Sequence, residues 1–571
     1  MLIYRCEKDN IETKTSICPV CGGRTEIVKS EIYWCDKCNV PVYADTCGKC
    51  HEKCRKLTSD IRPVFPEERL LIEIVLGEPL KFLKDSVWNS GNRYYVNGRR
   101  ILFSAKMMQN MDPEDIRVQI EKHKDQNTYR YFDIYRERFI EANRERYEAI
   151  TEEAFDYVRK TTKDVRTEEM FISFSGGKDS TVTADVVMRA LSNPRILHIF
   201  GDTTLEFPDT YEYVERYKKE HPATPVVSSR NRDKDFDELC EVVGPPSRVM
   251  RWCCTVFKTG SIQRKISSLF MNQNRIMTFY GIRRSESTSR SKYDRQSKSP
   301  KITKQITVSP VIDWMDFDIW LYLLTTGIDF NDAYRKGYAR VGCWCCPNNS
   351  VWSEMLSRIY MPQQYQKFHS MLVKFAAGIG KPDPEDYVSE GGWKARQGGN
   401  GVAYAANTVV SFAPCALEEN SFNYKLRKPI SEQLYELFKP FGTLNFDLGN
   451  KRLGEVYVLG SDGQPALKLQ GRIGSDELRV TIINKHIAGA KSLIVAEEKV
   501  KCQLTKYQMC MACRACESVC RFGAITVTDT DHGVDYRINE SKCKKCCECV
   551  GHYDSGCYMK KVLTVRKDHQ I

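Results

Sequence analysis

No run of about 18 apolar residues occurs in this 571-residue chain, so the sequence offers no membrane-spanning helix. Its opening, MLIYRCEKDN, lacks the apolar core of a secretory leader and reaches a cysteine by position 6,. The GxxxxGK(S/T) loop of common ATPases is missing as well,. Neither sign of charge dominates: 86 basic against 74 acidic residues leave a net charge of +12. That permits an anionic partner without demanding one, and equally fits a solvated basic surface. With 42% hydrophobic and 28% charged residues the composition is that of an ordinary globular protein,, long enough for about three to five domains.

What is abundant is cysteine. Twenty-five thiols in a large chain without a leader point to metals rather than to a disulfide scaffold, and to a reducing, cytoplasmic setting,. The first of them form a repeat: Cys6, Cys18 and Cys21 recur 29 residues later as Cys35, Cys47 and Cys50. The second copy reads Cys35-x2-Cys38 and Cys47-x2-Cys50, a full four-thiolate set for tetrahedral zinc. The first copy has Asp9 where the second has Cys38. Either Cys6, Asp9, Cys18 and Cys21 hold a second zinc, a carboxylate being an accepted ligand, or that copy is degenerate. His51 and Cys54 are left over. Residues 1–58 are therefore expected to be tandem zinc ribbons with one or two Zn²⁺. They either fold a segment too small for its own core or dock a nucleic acid.

Residues 59–165 are expected to hold a small β segment and a long helical linker. RYYVNGRRILF reads as a hairpin around Asn97-Gly98,. Asp112-Pro113 opens a helix with a cap and a first-turn proline, and Tyr129–Lys163 has the spacing of one amphipathic helix. From Glu168 strands and helices alternate: MFISF, TVTADVVMRAL, RILHIFGDT, YEYVERYKKE, TPVVSS and later IMTFYGI. Such alternation builds a parallel sheet with ligands at the strands' carboxyl ends.

FISFSGGKDST lies on the first strand-to-helix turn. Gly176 and Gly177 let the backbone approach a phosphate, and the following helix presents free N–H groups and its positive end. Lys178 adds a point charge, and Ser175 and Ser180 add hydroxyls. Asp179 and Asp202 suit Mg²⁺ or the orientation of a nucleotide. Arg283–Lys304 carries eight basic residues against two acidic ones at the same sheet edge. It either clamps phosphates or a polynucleotide backbone, or is a solvated loop.

SGGKDS resembles the pyrophosphatase loop of ATP-cleaving, AMP-forming enzymes. GDTTLEFPDTYEYV, GIRRSESTSR, SPVIDWMDFDIWLYL and GYARVGCWCCP resemble the phosphoadenosine phosphosulfate (PAPS) reductase family in the expected order. The resemblance implies a Rossmann-like sheet of the adenine nucleotide alpha hydrolase kind over residues 166–365, with Arg283 among the nucleotide-binding residues. Cys253 and Cys254 in RWCCTVFK, with Cys343 and Cys346 in GCWCCP, resemble the 4Fe-4S ligands of iron–sulfur adenylyl-sulfate reductases. Four cysteines also suit zinc. Cys345 is then a spare thiol beside the cluster and a candidate catalytic residue with Lys178 and Asp179. Two features depart from the reductases. No segment resembles their nucleophilic Glu-Cys-Gly-Leu-His tail, for which Cys345 and Cys415 are the substitutes, and the SGGKDS loop is intact. DNA phosphorothioation sulfurtransferases and iron–sulfur tRNA thiolases are similar in joining such a loop to a cluster.

Residues 366–500 read only as a small α+β domain, with a hairpin in VYVLGSDGQPALKLQGRI and a helix in ISEQLYELFKPFG. Residues 501–571 resemble a two-cluster bacterial ferredoxin. Cys510-x2-Cys513-x2-Cys516-x3-Cys520 is followed by Cys543-x2-Cys546-x2-Cys549 and Cys557, with Arg521 in place of the usual proline. The resemblance assigns Cys510, Cys513, Cys516 and Cys557 to one cluster and Cys543, Cys546, Cys549 and Cys520 to the other. The whole is thus expected to be an enzyme with three 4Fe-4S clusters, zinc, Mg²⁺, and ATP or a sulfonucleotide. One reading is sulfur transfer to a tRNA or DNA acceptor with the ferredoxin segment as electron donor. The other is reduction of adenylyl-sulfate or phosphoadenylyl-sulfate to sulfite.

Overall fold

The computed structural model describes residues 3–6, 9, 11–13, 17–23, 25–28, 31–108, 111–232, 235–248, 250–287, 290–298, 305–395, 410–510, 512, 515–520, 522–530, 533–551, 557 and 565–567. The chain forms two compact units. The first comprises residues 1–229, 270–299 and 304–366, the second residues 230–269, 300–303 and 367–571. Among the described residues, no helix is long and apolar enough to cross a membrane.

The first unit is organised on a six-stranded sheet. Its strands are β1 (Met170–Phe174), β2 (Leu197–Asp202), β3 (Val226–Arg230), β4 (Ile276–Tyr280), β5 (Gln296–Lys298) and β6 (Gln305–Val308). Their order is β3-β2-β1-β4-β6-β5. β1 pairs in parallel with both β2 and β4, and β4 with β6, while β5 runs antiparallel to β6. β1 is buried almost throughout, as a central parallel strand covered on both faces must be,. The helices that matter to the site are α1 (Arg130–Ala142), α2 (Arg144–Thr162), α3 (Lys178–Ala190), α4 (Pro208–Glu220) and α5 (Asp316–Thr326). Ile172, Phe174, Val182, Val186, Tyr213, Phe279, Val308, Ile319 and Trp320 fill the core between sheet and helices.

The single helix expected over Tyr129–Lys163 is two, because Asn143 diverts the backbone's bonding to the cysteine-rich segment. Its side chain donates to Phe139 O (2.8 Å) and Pro41 O (3.0 Å) and accepts from Tyr43 N (2.9 Å). The carbonyl of Ala142 is taken by Gly48 N at 3.2 Å. The second cysteine repeat is thereby built into the unit. Its strands Ile32–Cys35, Val40–Val42 and Arg55–Thr58 form one antiparallel sheet. Ile32, Trp34, Val40 and Val42 share a core with Phe139 of α1 and with Met315, Phe317 and Leu321 at α5. Each large apolar side chain so buried contributes about 1.5–3 kcal/mol, so this module leans on the nucleotide-type domain. The hairpin around Asn97-Gly98 forms as expected, Arg93–Val96 pairing with Arg99–Arg100 across two residues of positive φ,.

In the second unit a seven-stranded sheet contains Val410–Pro414, Ser421–Lys425, Thr443–Asn445, Glu455–Leu459, Pro465–Gln470, Glu477–Ile482 and Val565–Lys567. The hairpin expected in VYVLGSDGQPALKLQGRI is there. The helix expected in ISEQLYELFKPFG is only Glu432–Glu436 plus a 3-10 turn at Lys439–Phe441, since Pro440 has no N–H with which to extend it. Helix α6 (Leu493–Met509) runs through position 500, where one domain was expected to end and the next to begin. It packs on the short helix Glu548–Gly551, which in turn packs on Ala515–Val519.

Candidate functional site

The SGGKDS turn joins β1 to α3 at the carboxyl edge of the sheet, and its geometry requires its glycines. Gly176 has φ +69°, and a Cβ there would meet Thr210 Cγ2 at 2.8 Å. Gly177, at the helix N-cap, is extended and supplies no side-chain cap, while its carbonyl takes the N–H groups of Ser180 and Thr181 at 3.0 Å each,. Lys178 N donates to the Tyr334 hydroxyl at 3.0 Å. Asn331, fully buried, donates to Gly176 O (3.1 Å) and Thr210 Oγ1 (2.9 Å) and so fixes the turn from behind. The two serines close the turn on itself: Ser180 Oγ accepts from Ser175 N at 3.2 Å and donates to Gly177 O at 2.8 Å.

Charge is concentrated beside this turn. Arg283 Nε donates to Asp179 Oδ1 at 2.6 Å, and its Nη2 to Asp316 Oδ1 at 2.9 Å. Lys178 Nζ lies 3.2 Å from Asp316 Oδ1 and 3.4 Å from Asp179 Oδ2. Burial works against both cations. The carboxylates of Asp179 and Asp316 more than offset it and hold Lys178 and Arg283 above their ordinary ranges. Burial likewise opposes the Asp179 charge, but Arg283 and Lys178 keep its pKa below the ordinary carboxylate range. Asp60 accepts from the backbone N–H groups of Asp316 and Phe317, at 3.0 Å each. Burial, and then the Asp316 carboxylate, push Asp60 up to about 7. Asp202, at the end of β2, accepts from Thr204 N and the Tyr211 hydroxyl, both at 2.9 Å.

The basic run after β4 is partly anchored. Arg284 pairs with Asp313, Arg290 with Glu286, and Arg295 with Glu153 while lying 3.7 Å over the Tyr157 ring. Among its described side chains, Arg283 is the basic one at the phosphate turn. Residues 288, 289 and 299–304 lie outside the described residues.

The GCWCCP loop is pinned to the segment after β2. Trp344 N donates to Leu205 O at 2.9 Å, Glu206 bridges Cys343, and the Thr203 hydroxyl is 3.5 Å from Cys343 Sγ. Cys343 and Cys346 are half-buried and Cys345 is buried. Cys253 and Cys254, also half-buried, belong to the second unit, at the start of a π-helix over Cys254–Thr259. Cys415, the other substitute nucleophile, is half-buried; the Leu417 N–H lowers its thiol pKa below the ordinary range.

Among the described residues two groups bring four potential metal ligands within 4.8 Å of one another: Cys35, Cys38, Cys47 and Cys50, and Cys6, Asp9, Cys18 and Cys21. Both donor sets suit a tetrahedral ion. In the first repeat Asp9 Oδ2 lies 3.0 Å from Cys18 Sγ and 3.3 Å from Cys6 Sγ, taking the position of the missing thiol. His51 and Cys54 stay outside the second set.

In the C-terminal segment the thiols of Cys516, Cys502, Cys549 and Cys557 act on the buried ammonium of Lys506, whose Nζ donates to Cys549 O. Cys520 and Cys516 act on Cys549 in turn, and Cys510, Cys516 and Cys549 act on the buried Tyr536. Cys543 is half-buried and Cys546 exposed. Cys513 lies outside the described residues.

Sequence reasoning missed Asp60, Asp316, Asn331 and Tyr334. Asp316 stands inside the quoted stretch SPVIDWMDFDIWLYL and was within reach. Asp60, in TSDIRPVF, carries no signal.

A parallel sheet with an uncapped helix start and two cations at its carboxyl edge defines an α/β anion-binding domain. Residues 169–349 match the phosphoadenosine phosphosulfate reductase domain, and this part of the chain is a domain of that family. Over 263 residues the chain is 28% identical to an uncharacterized protein of Methanocaldococcus jannaschii, covering 46% of this chain and 60% of that protein. It is 27% identical over 191 residues to adenosine 5′-phosphosulfate reductase 1 of Bacillus subtilis, which covers 33% of this chain and 78% of that one. A solved phosphoadenylyl-sulfate reductase from Candida auris, in a phosphate complex, is similar over 34% of this chain and 95% of its own, with 16% identity and a TM-score of 0.26. The chain spans 60% and 57% of the length of the first curated relatives it matches.

Proposed function

We propose that this chain is an adenine-nucleotide-dependent iron–sulfur enzyme that cleaves ATP to AMP and pyrophosphate in a sulfur-transfer reaction, with a nucleic acid as candidate acceptor. The observation that carries this reading is the complete phosphate turn. An uncapped helix start, Lys178 and Arg283 converge on one point at the sheet edge. In that chemistry an acceptor oxygen attacks the α-phosphorus, the bond to the β-phosphate oxygen breaks, and pyrophosphate leaves. The helix N–H groups and the two cations stabilise the charge that develops on the leaving group. Asp179 and Asp202 are the candidate carboxylates for the accompanying Mg²⁺. Cys253, Cys254, Cys343 and Cys346 would hold a 4Fe-4S cluster, which supplies one-electron and sulfur chemistry when bound. Cys345 or Cys415 would carry the sulfur. The two ferredoxin-type cysteine sets would hold the clusters that feed electrons in. The two N-terminal groups would hold zinc.

A second reading is favoured by the relatives named adenosine 5′-phosphosulfate reductases: cleavage of a sulfonucleotide to sulfite, with the ferredoxin segment as reductant. Anaerobic, cluster-loaded protein given ATP, adenylyl-sulfate or phosphoadenylyl-sulfate, with a low-potential electron donor, separates the two. Under the first reading AMP and pyrophosphate form from ATP only when an RNA or DNA acceptor is added. Sulfite released from either sulfonucleotide without ATP would replace it with the second.

A further inference from the structure

At the start of helix α5 the N-cap residue, Met315, makes no side-chain capping bond, and of the backbone N–H groups there the helix's own Asp318 accepts from Met315 N, at 3.0 Å. The capping carboxylate comes instead from Asp60, 256 residues away in sequence, whose two oxygens accept from Asp316 N and Phe317 N. Asp60 is itself held from both sides. Its Oδ1 accepts from Ile61 N at 2.9 Å, and Ile61 is buried in the core that the second cysteine repeat shares with Met315 and Phe317. Arg62, the next residue, is buried in a two-bond pair with Glu68, both contacts at 2.6 Å. Fixed in this way, Asp60 determines where the first turn of α5 lies. The first residue of that turn, Asp316, accepts from Arg283 and sits 3.2 Å from Lys178 Nζ with the same oxygen.

We infer that Asp60 is a positioning residue of the nucleotide site: by capping α5 it holds Asp316 where that carboxylate keeps Lys178 and Arg283 aimed at a common phosphate position. The inference rests on the reading that the β1–α3 turn binds an adenine nucleotide. It assigns the N-terminal cysteine-rich segment a part in that site, since Asp60 stands two residues beyond the Arg55–Thr58 strand of the second repeat. Removing a helix cap loosens the first turn, and here its loss also frees a residue shared by two cations.

The test uses the full chain, loaded with metal under anaerobic conditions, and reads binding of ATP and of adenylyl-sulfate by calorimetry. Asp60→Ala is expected to weaken binding about tenfold, the size of one lost cap. Asp60→Asn, which keeps one acceptor and the side-chain shape, should recover most of that loss. Zinc content and melting temperature of Asp60→Asn should match the wild type, so it carries the test if Asp60→Ala folds poorly. A double-mutant cycle separates positioning from general support: in an Asp316→Asn background the Asp60 substitutions should change binding less than twofold. Wild-type affinity in Asp60→Ala, or an undiminished effect in the Asp316→Asn background, overturns the inference while leaving the nucleotide reading intact. A wild type that binds neither nucleotide overturns both.

Discussion

Arg283 and Asp179, 104 residues apart in sequence, meet at 2.6 Å beside the phosphate turn, and the same guanidinium reaches Asp316 at 2.9 Å. The approach is possible because Gly281, two residues before Arg283, has no side chain. A Cβ there would lie 2.5 Å from the Asp179 backbone. One arginine thus ties the end of β4 to the start of α3 and to the start of α5.

Arg283→Ala is expected to destabilise the first unit, because Asp179 and Asp316 lose their closest cation. Removing one partner of a buried pair typically costs about 3–5 kcal/mol. With side-chain exposures of 18% and 23%, the lower end applies. Adding Asp179→Asn removes a stranded charge and should raise the melting temperature above that of Arg283→Ala alone. A double variant that melts lower than the single one would show that the pairing is not what holds these elements. Arg283→Lys should restore only part of the loss, since an ammonium cannot bridge two carboxylates as a planar fork does.

Lys178→Ala is expected to abolish ATP turnover while leaving iron and zinc content unchanged, because Lys178 touches none of the described cysteines. Its ammonium faces Asp179, Asp316 and Ala339 O. Pyrophosphate release and metal analysis on the same preparation decide this. Turnover near the wild-type rate would move the catalytic nucleotide site away from this turn.

Metal stoichiometry distinguishes the two cysteine repeats. Cys38→Ser should remove one equivalent of zinc and, because Cys35, Cys38 and Cys47 are part of the core shared with Phe139 and Phe317, lower the melting temperature as well. Asp9→Ala should remove the other equivalent, its carboxylate standing where the second repeat has a thiol. Asp9→Cys should bind at least as tightly as the parent. Zinc content unchanged in Asp9→Ala would leave the first repeat a fold without a metal.

The order of strands and helices around the phosphate turn was legible in the sequence because buried parallel strands and amphipathic helices leave strong periodic patterns. The second cysteine set was legible because its spacing is set by ligand geometry. What stayed hidden came from distant parts of the chain. Nothing near Asn143 announces that its amide is spent on Pro41 and Tyr43, so the helix break there was not visible. Nor does the neighbourhood of Asp60 show that its carboxylate caps a helix more than 250 residues on. The basic run after β4 was legible only as charge: the partners that anchor Arg284 and Arg295, Asp313 and Glu153, are visible only in the fold.

His198 supplies a stability prediction independent of any ligand. It is fully buried in β2, with Nδ1 2.8 Å from Ile196 O and Nε2 3.1 Å from the Tyr217 hydroxyl. Burial pushes its pKa down to about 4 from an ordinary value of 6.5. Between those values the unfolded chain holds a proton that the folded chain does not, so acid favours unfolding there. The contribution of His198 is fully present above pH 6.5 and is lost progressively as the pH falls toward 4. A shift of this size corresponds to about 3 kcal/mol. Denaturant melts of the wild type at pH 7.5 and pH 4.5 should therefore differ by more than those of His198→Asn, whose side chain does not titrate. An equal pH response in the two proteins would mean that the imidazole is protonated inside the fold.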